Sequence, residues 1–122
     1  MDKKLKAFLP TVNPGKSKEF YQNIMGLTLV SEDDYGLEFD SNGTPLRVTV
    51  VESFTPHPFT VLGWGVDSLE SSILQLTKKG VLFEKYDFLK QDLLGVWTSP
   101  GGTKVAWFKD PDGNLLSLTQ PL

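Results

Sequence analysis

The chain repeats itself, and the repeat limits what it can fold into more than any other feature. Val12-Asn13, near the end of one apolar run, is matched by Val66-Asp67, near the end of another and 54 positions on. Gly26-Leu27 is matched by Gly80-Val81 at the same interval, and Ser17 by Ser71. A unit of that length cannot bury an apolar face alone, so the two copies must pack together or pair with another chain.

In the first copy, Leu5 to Val12 reads as a strand, with Pro10 marking an irregular or edge position. Asn13-Pro14-Gly15 is a turn. Ser17 to Met25 reads as a short helix with Phe20, Tyr21 and Ile24 as its apolar stripe, and Gly26 ends it where a left-handed residue is cheap. Leu27 to Ser31 and Tyr35 to Phe39 read as strands, and Ser41-Asn42-Gly43 turns tightly into a third, Leu46 to Glu52. Phe54 to Pro58 is a proline-stiffened seam. The order then recurs, with a strand from Phe59 to Val66 and a helix capped by Asp67 or Ser68. That helix runs to about Lys79, with Leu69, Ile73, Leu74 and Leu76 as its buried face. Strands follow at Leu82 to Tyr86, Leu94 to Thr98, Thr103 to Lys109 and Leu115 to Gln120, the last two joined by the Asp110 to Asn114 turn. The expected architecture is α+β: one domain over residues 1–122, built from two β-α-β-β-β modules at 1–55 and 59–122.

With 122 residues, the chain buries roughly two-thirds of its unfolded surface, enough for one core. The net charge of −3 and the scattered lysines argue against a nucleic-acid partner, which selects for a basic patch. The absence of cysteine excludes disulfides, thiolate metal sites and a cysteine nucleophile. No apolar run approaches the roughly 20 residues of a membrane helix. The N-terminal run is broken by Lys6 and Pro10, unlike a secretory signal, so a cytoplasmic location is expected, with no membrane partner.

Phe20-Tyr21 with Gly26-Leu27, Val66-Asp67 with Leu69, and above all Phe108-Lys109-Asp110-Pro111-Asp112-Gly113-Asn114 followed by Leu115-Leu116-Ser117-Leu118 resemble the vicinal oxygen chelate superfamily, the glyoxalase and bleomycin-resistance group. The resemblance covers essentially the whole chain. It implies that the eight strands of two modules curl into an incomplete barrel, a cup for a small molecule, and that the chain forms a homodimer. Metal-dependent members hold a divalent ion through four His, Glu or Gln side chains, one from each of four strands. Metal-free members use the same cup to sequester drugs.

The implied ligand positions speak against a metal here. The first falls at Ala7 and its repeat at Val61, neither of which offers the O, N or S donor a cation needs. A third falls at Ser117. The fourth lies on Leu46 to Glu52, where only Glu52 is able to ligate. His57, the sole histidine, reads as a linker residue between Pro56 and Pro58. Asp110 and Asp112 read as turn formers, with Gly113 taking the positive φ. Glu32-Asp33-Asp34 reads as a solvated loop, and Gly101-Gly102 as a hairpin turn. No cofactor is expected.

Strand alternation then suggests what lines the cup. If Ala7 and Val61 face it, so do Leu9, Thr11, Phe59, Gly63 and Gly65, while Phe8, Val12, Leu62, Trp64 and Val66 face the helices. Tyr35, Phe39, Tyr86, Trp97 and Trp107 are the candidate aromatics of the wall, and Arg47 the candidate anion contact. The expected ligand-binding set is Phe39, Arg47, Val61, Gly63, Tyr86, Trp97, Trp107 and Ser117. The expected function is metal-free binding of a small aromatic or amphipathic molecule. The alternative is a divalent-metal lyase, dioxygenase or epimerase with a rearranged site using Glu52, His57 or a second chain.

Overall fold

A computed structural model describes residues 1–122. The chain divides into two units, Met1–Pro56 and His57–Leu122. In the first, β1 (Ala7–Thr11) leads to α1 (Pro14–Glu19), and the chain continues through a π-helical turn, Phe20–Ile24. Asn13 caps α1, its side chain accepting the Lys16 N–H at 3.1 Å, and Pro14 follows where a missing N–H costs nothing. The helix ends at Gly26, with φ +75°. Then come β2 (Thr28–Asp33), β3 (Gly36–Ser41) and β4 (Thr44–Val50). Asn42 and Gly43 join β3 to β4 with φ of 47° and 93°, the two positive angles of a hairpin turn that Asn-Gly favours.

The first sheet has the order β1-β4-β3-β2, with β1 parallel to β4 and the other pairs antiparallel. Leu9, Thr11, Leu37, Phe39, Leu46 and Val48 are buried on one of its faces, as are Phe20 and Tyr21 of the helix. The rings of Tyr21 and Phe39 lie 5.8 Å apart, which identifies this face as the one the helix covers.

The second unit repeats the plan with β5 (Leu62–Gly65), α2 (Leu69–Lys78), β6 (Trp97–Thr98), β7 (Lys104–Lys109) and β8 (Leu115–Gln120) in the order β5-β8-β7-β6. Ser68 is the cap of α2, accepting the Ser71 N–H at 3.2 Å. Leu69, Ile73 and Leu76, spaced four and three apart, are buried together with Ala106, Phe108, Leu116 and Leu118 of the sheet. Leu74 lies off that stripe and is exposed, correcting its place in the expected buried face. The eight strands thus form two four-stranded sheets with no ladder closing them into a barrel.

Two further expectations are corrected. Leu82 to Tyr86 is not a strand. Only Phe83 bridges Phe108, and the Glu84 N–H bonds the Trp107 carbonyl at 2.8 Å. Beyond it the chain leaves the sheet for a loop and rejoins β7 at Trp97. Gln91 closes that loop: its side chain accepts the Tyr86 N–H and donates to the carbonyls of Glu84 and Gly95, at 2.7, 3.0 and 2.8 Å. Glu32 and Asp33 belong to β2 rather than to a free loop, and Asp33 accepts the N–H groups of Tyr35 and Gly36 to build the next turn. No helix is long and apolar enough to cross a membrane.

Candidate functional site

Facing pairs across a sheet share a face, so the registers sort the site residues. In the second sheet Gly63 stands opposite Ser117, Ser117 opposite Trp107, and Val105 opposite both Thr119 and Trp97. These alternate with the buried Ala106, Phe108, Leu116 and Leu118, so they occupy the face away from α2. Val61 precedes β5 with the same parity as Gly63. Trp97 and Trp107 have ring centroids 6.2 Å apart. Tyr86 meets Trp107 edge-on at 5.8 Å, and Phe88 packs on Tyr86 at 5.4 Å. Five expected residues, Gly63, Tyr86, Trp97, Trp107 and Ser117, therefore gather in this part of the second sheet, with Val61 at its edge.

Hydrogen bonds hold this aromatic wall in one arrangement. The Trp107 indole N–H donates to the Thr60 hydroxyl at 3.1 Å, and the Gln91 staple fixes the backbone at Tyr86. Burial, and after it the Glu84 carboxylate, holds the Tyr86 phenol above its ordinary pKa, so it remains a neutral donor at physiological pH. A Cβ on Gly63 would come within 2.5 Å of the Ser117 hydroxyl oxygen. The glycine thus leaves room for that hydroxyl beside the wall. Thr60 and Gln91 were missed in the sequence; no local pattern marks a residue whose partners lie 47 positions away or inside its own loop.

The first sheet corrects one member of the expected set. Phe39 is 0% exposed and packs on Tyr21 under the helix, so it is core and lines no cup. Leu9 and Thr11, expected on the cup face, are buried on the helix side, while Phe8 and Val12, expected against the helix, are exposed. The helix caps explain the reversal. Asn13 and Ser68 are 55 positions apart, whereas Gly26 and Gly80 are 54 apart. The first helix carries one extra residue, absorbed by the π-helical turn, where the Met25 N–H bonds back to the Phe20 carbonyl. Ala7, opposite Leu46, therefore corresponds to Leu62, opposite Leu116, and not to Val61. Tyr35 sits exposed in the β2–β3 turn.

Arg47 lies opposite Phe8 and Glu38, on the face away from α1. Its guanidinium crosses Gly36, where a Cβ would approach it to 3.2 Å, and it pairs with Asp33 at 3.3 Å. The Tyr35 backbone N–H, with Arg47 adding to it, holds the Asp33 carboxyl below its ordinary pKa. Arg47 is thus already engaged, and on this face it sits beside the Lys6–Glu38 pair at 2.8 Å.

Nowhere do three or more His, Asp or Glu side chains come within reach of one ion. In the first sheet the face away from α1 carries Phe8, Arg47 and Thr49 with the carboxylates of Asp33 and Glu38, already paired with Arg47 and Lys6. In the second the face away from α2 carries Gly63, Trp107 and Ser117, with Val61 at its edge and no carboxylate among them. Glu52 and His57 are exposed, the imidazole stacking on Phe59 at 5.2 Å. These residues do not fit a chelated divalent ion, which takes three or four protein ligands.

No protein-family model matches the chain, and no curated protein sequence matches it. Solved structures do. A member of the glyoxalase/bleomycin resistance protein/dioxygenase superfamily from Sphaerobacter thermophilus aligns over 99% of this chain and 98% of its own, with a TM-score of 0.78 at 20% identity. A glyoxalase/bleomycin resistance protein/dioxygenase from Nocardioides aligns over 100% and 85%, with a TM-score of 0.75 at 17% identity. A lactoylglutathione lyase from Agrobacterium tumefaciens aligns over 98% and 94%, with a TM-score of 0.72 at 13% identity. With two β-α-β-β-β units in the same order over nearly its whole length, the chain has the fold of the glyoxalase/bleomycin resistance protein/dioxygenase superfamily, the vicinal oxygen chelate fold.

Proposed function

We propose that the chain binds a small aromatic or amphipathic molecule against the Trp97–Trp107–Tyr86 wall of its second sheet, with no metal and no bond broken. The observation that carries this reading is three aromatic rings, Trp107 in contact with both Trp97 and Tyr86, on the face that α2 does not cover. Flat π surfaces at that spacing stack a planar ligand, and each such contact is worth roughly 0.5–1.5 kcal/mol beyond area burial. Polar groups are few there, the Ser117 hydroxyl and the Tyr86 phenol among them, as in small-molecule pockets generally. Sequestering a drug-like compound is the use this chemistry supports best.

The donor set weighs against the metal-enzyme alternative, because a catalytic metal needs ligands that the strand faces lack. A thermal-shift panel of planar aromatic compounds tests the proposal. A ligand at 100 times its Kd adds about 2.7 kcal/mol of stability, so at least one compound is expected to raise the Tm of the wild type and not of Trp107→Ala. A panel that shifts neither protein sinks the proposal.

A further inference from the structure

The second unit holds a cavity of about 450 Å³ on the α2 side of its sheet, within the range of small-molecule pockets. The first turn of α2, the loop at Asp92 and the row Thr98–Lys104–Gln120 line it. That row runs straight across three strands, Thr98 opposite Lys104 and Lys104 opposite Gln120.

Charges of both signs line this cavity without meeting. The chain's ion pairs are Lys6–Glu38, Lys18–Glu32, Arg47–Asp33 and Lys109–Glu84. Lys104 pairs with neither Glu70 nor Asp92, although all three line the same space. Gln120 is held in one orientation, its Oε1 accepting the Leu69 N–H at 2.8 Å, which leaves its amide N–H groups to donate. In the first turn of α2, Gln120 takes the Leu69 N–H and Ser68 takes the Ser71 N–H. The Glu70 N–H between them has no partner, and helix-start N–H groups favour a negative charge. Asp92 uses Oδ1 for the N–H groups of Leu94 and Val96, both at 2.9 Å, leaving Oδ2 open. The cavity thus offers a set of donors for an anion and two carboxylates for a cation.

We propose that this cavity binds a small zwitterion of the α-amino acid type. Its carboxylate would lie on the Lys104 ammonium, the Gln120 amide and the Glu70 N–H, and its ammonium on the carboxylates of Glu70 and Asp92. A simple anion meets two carboxylates there, and a simple cation meets Lys104. A molecule carrying both charges answers each with its opposite.

The test is an NMR titration of the whole ¹⁵N-labelled chain with a panel of L-α-amino acids, using acetate and methylammonium as half-charged controls. At least one amino acid is expected to shift the Thr98, Lys104 and Gln120 amides saturably, with each control at least tenfold weaker. Lys104→Met and Glu70→Gln, both at exposed positions, are each expected to weaken binding tenfold or more. Trp107→Ala is expected to leave it unchanged, which separates this cavity from the aromatic wall. The inference is overturned if no amino acid shifts these amides, if acetate binds as well as the amino acids, or if binding survives both charge substitutions. Should Lys104→Met fail to fold, Glu70→Gln alone decides.

Discussion

Single residues show where this chain spends its polar chemistry. Asp110 is 5% exposed and accepts three bonds within its own turn, from the N–H groups of Asp112 and Asn114 and from the Asn114 side-chain amide. The Asp110 to Asn114 motif is therefore turn chemistry, as its Asx-Pro-Asx-Gly pattern implies. Asp110→Ala strands those donors in a buried turn and is expected to cost about 2–4 kcal/mol in urea denaturation. Ser17 is the opposite case. Its hydroxyl is buried with no hydrogen-bond partner, so Ser17→Ala is expected to be neutral or to stabilise by roughly 0.5–1 kcal/mol. A loss of stability in that variant would show that the hydroxyl has a role the fold does not reveal. Asp33 carries a pH dependence. Its folded-state pKa is depressed, so its contribution is present above the ordinary aspartate value of about 3.9 and is lost as pH falls through the folded value. Asp33→Asn is expected to flatten the acid limb of a Tm-against-pH profile while leaving the rest of the curve in place.

Elements follow from the sequence more closely than faces do. Both helices, their glycine ends, the Asn42-Gly43 hairpin and the β7–β8 hairpin can be read directly, because caps, turns and apolar periods are local signals. The side of β1 that meets the helix is not legible in the sequence, since it depends on a single-residue offset hidden in the π-helical turn. Counting from Val12 to Val66 equates Ala7 with Val61, and one residue of error exchanges the two faces of a strand. Phe39 shares a face with Ala7 through Leu46 and so lies with the buried residues on the helix side. The loop from Lys85 to Val96 was illegible for another reason: its shape rests on Gln91, whose three bonds join points that no sequence period links. Gln91→Ala is expected to cost roughly 1–3 kcal/mol. It should also speed hydrogen exchange at the Tyr86 amide, which donates to the Gln91 side chain, well before exchange rises in β7 and β8.

At the scale of the molecule, a duplicated unit supplies two similar scaffolds that the sequence has furnished differently. The first sheet's face away from α1 carries ion pairs, Arg47 with Asp33 and Lys6 with Glu38. The second's carries aromatic rings, glycines and a serine. The fold is shared with proteins named as lyases and dioxygenases, yet activity resides in the side chains a fold displays rather than in the fold. The central claim is that the second sheet binds an organic ligand without a metal. Intrinsic tryptophan fluorescence of chelator-treated protein, titrated with an aromatic compound from the thermal-shift panel before and after adding Zn²⁺, Mn²⁺, Ni²⁺ or Fe²⁺, tests it most directly. The account predicts saturable quenching in metal-free protein, an unchanged Kd after metal is added, and at least a tenfold weaker Kd in Trp107→Ala. Binding that appears only once a metal is restored, with stoichiometric metal retained, would contradict it.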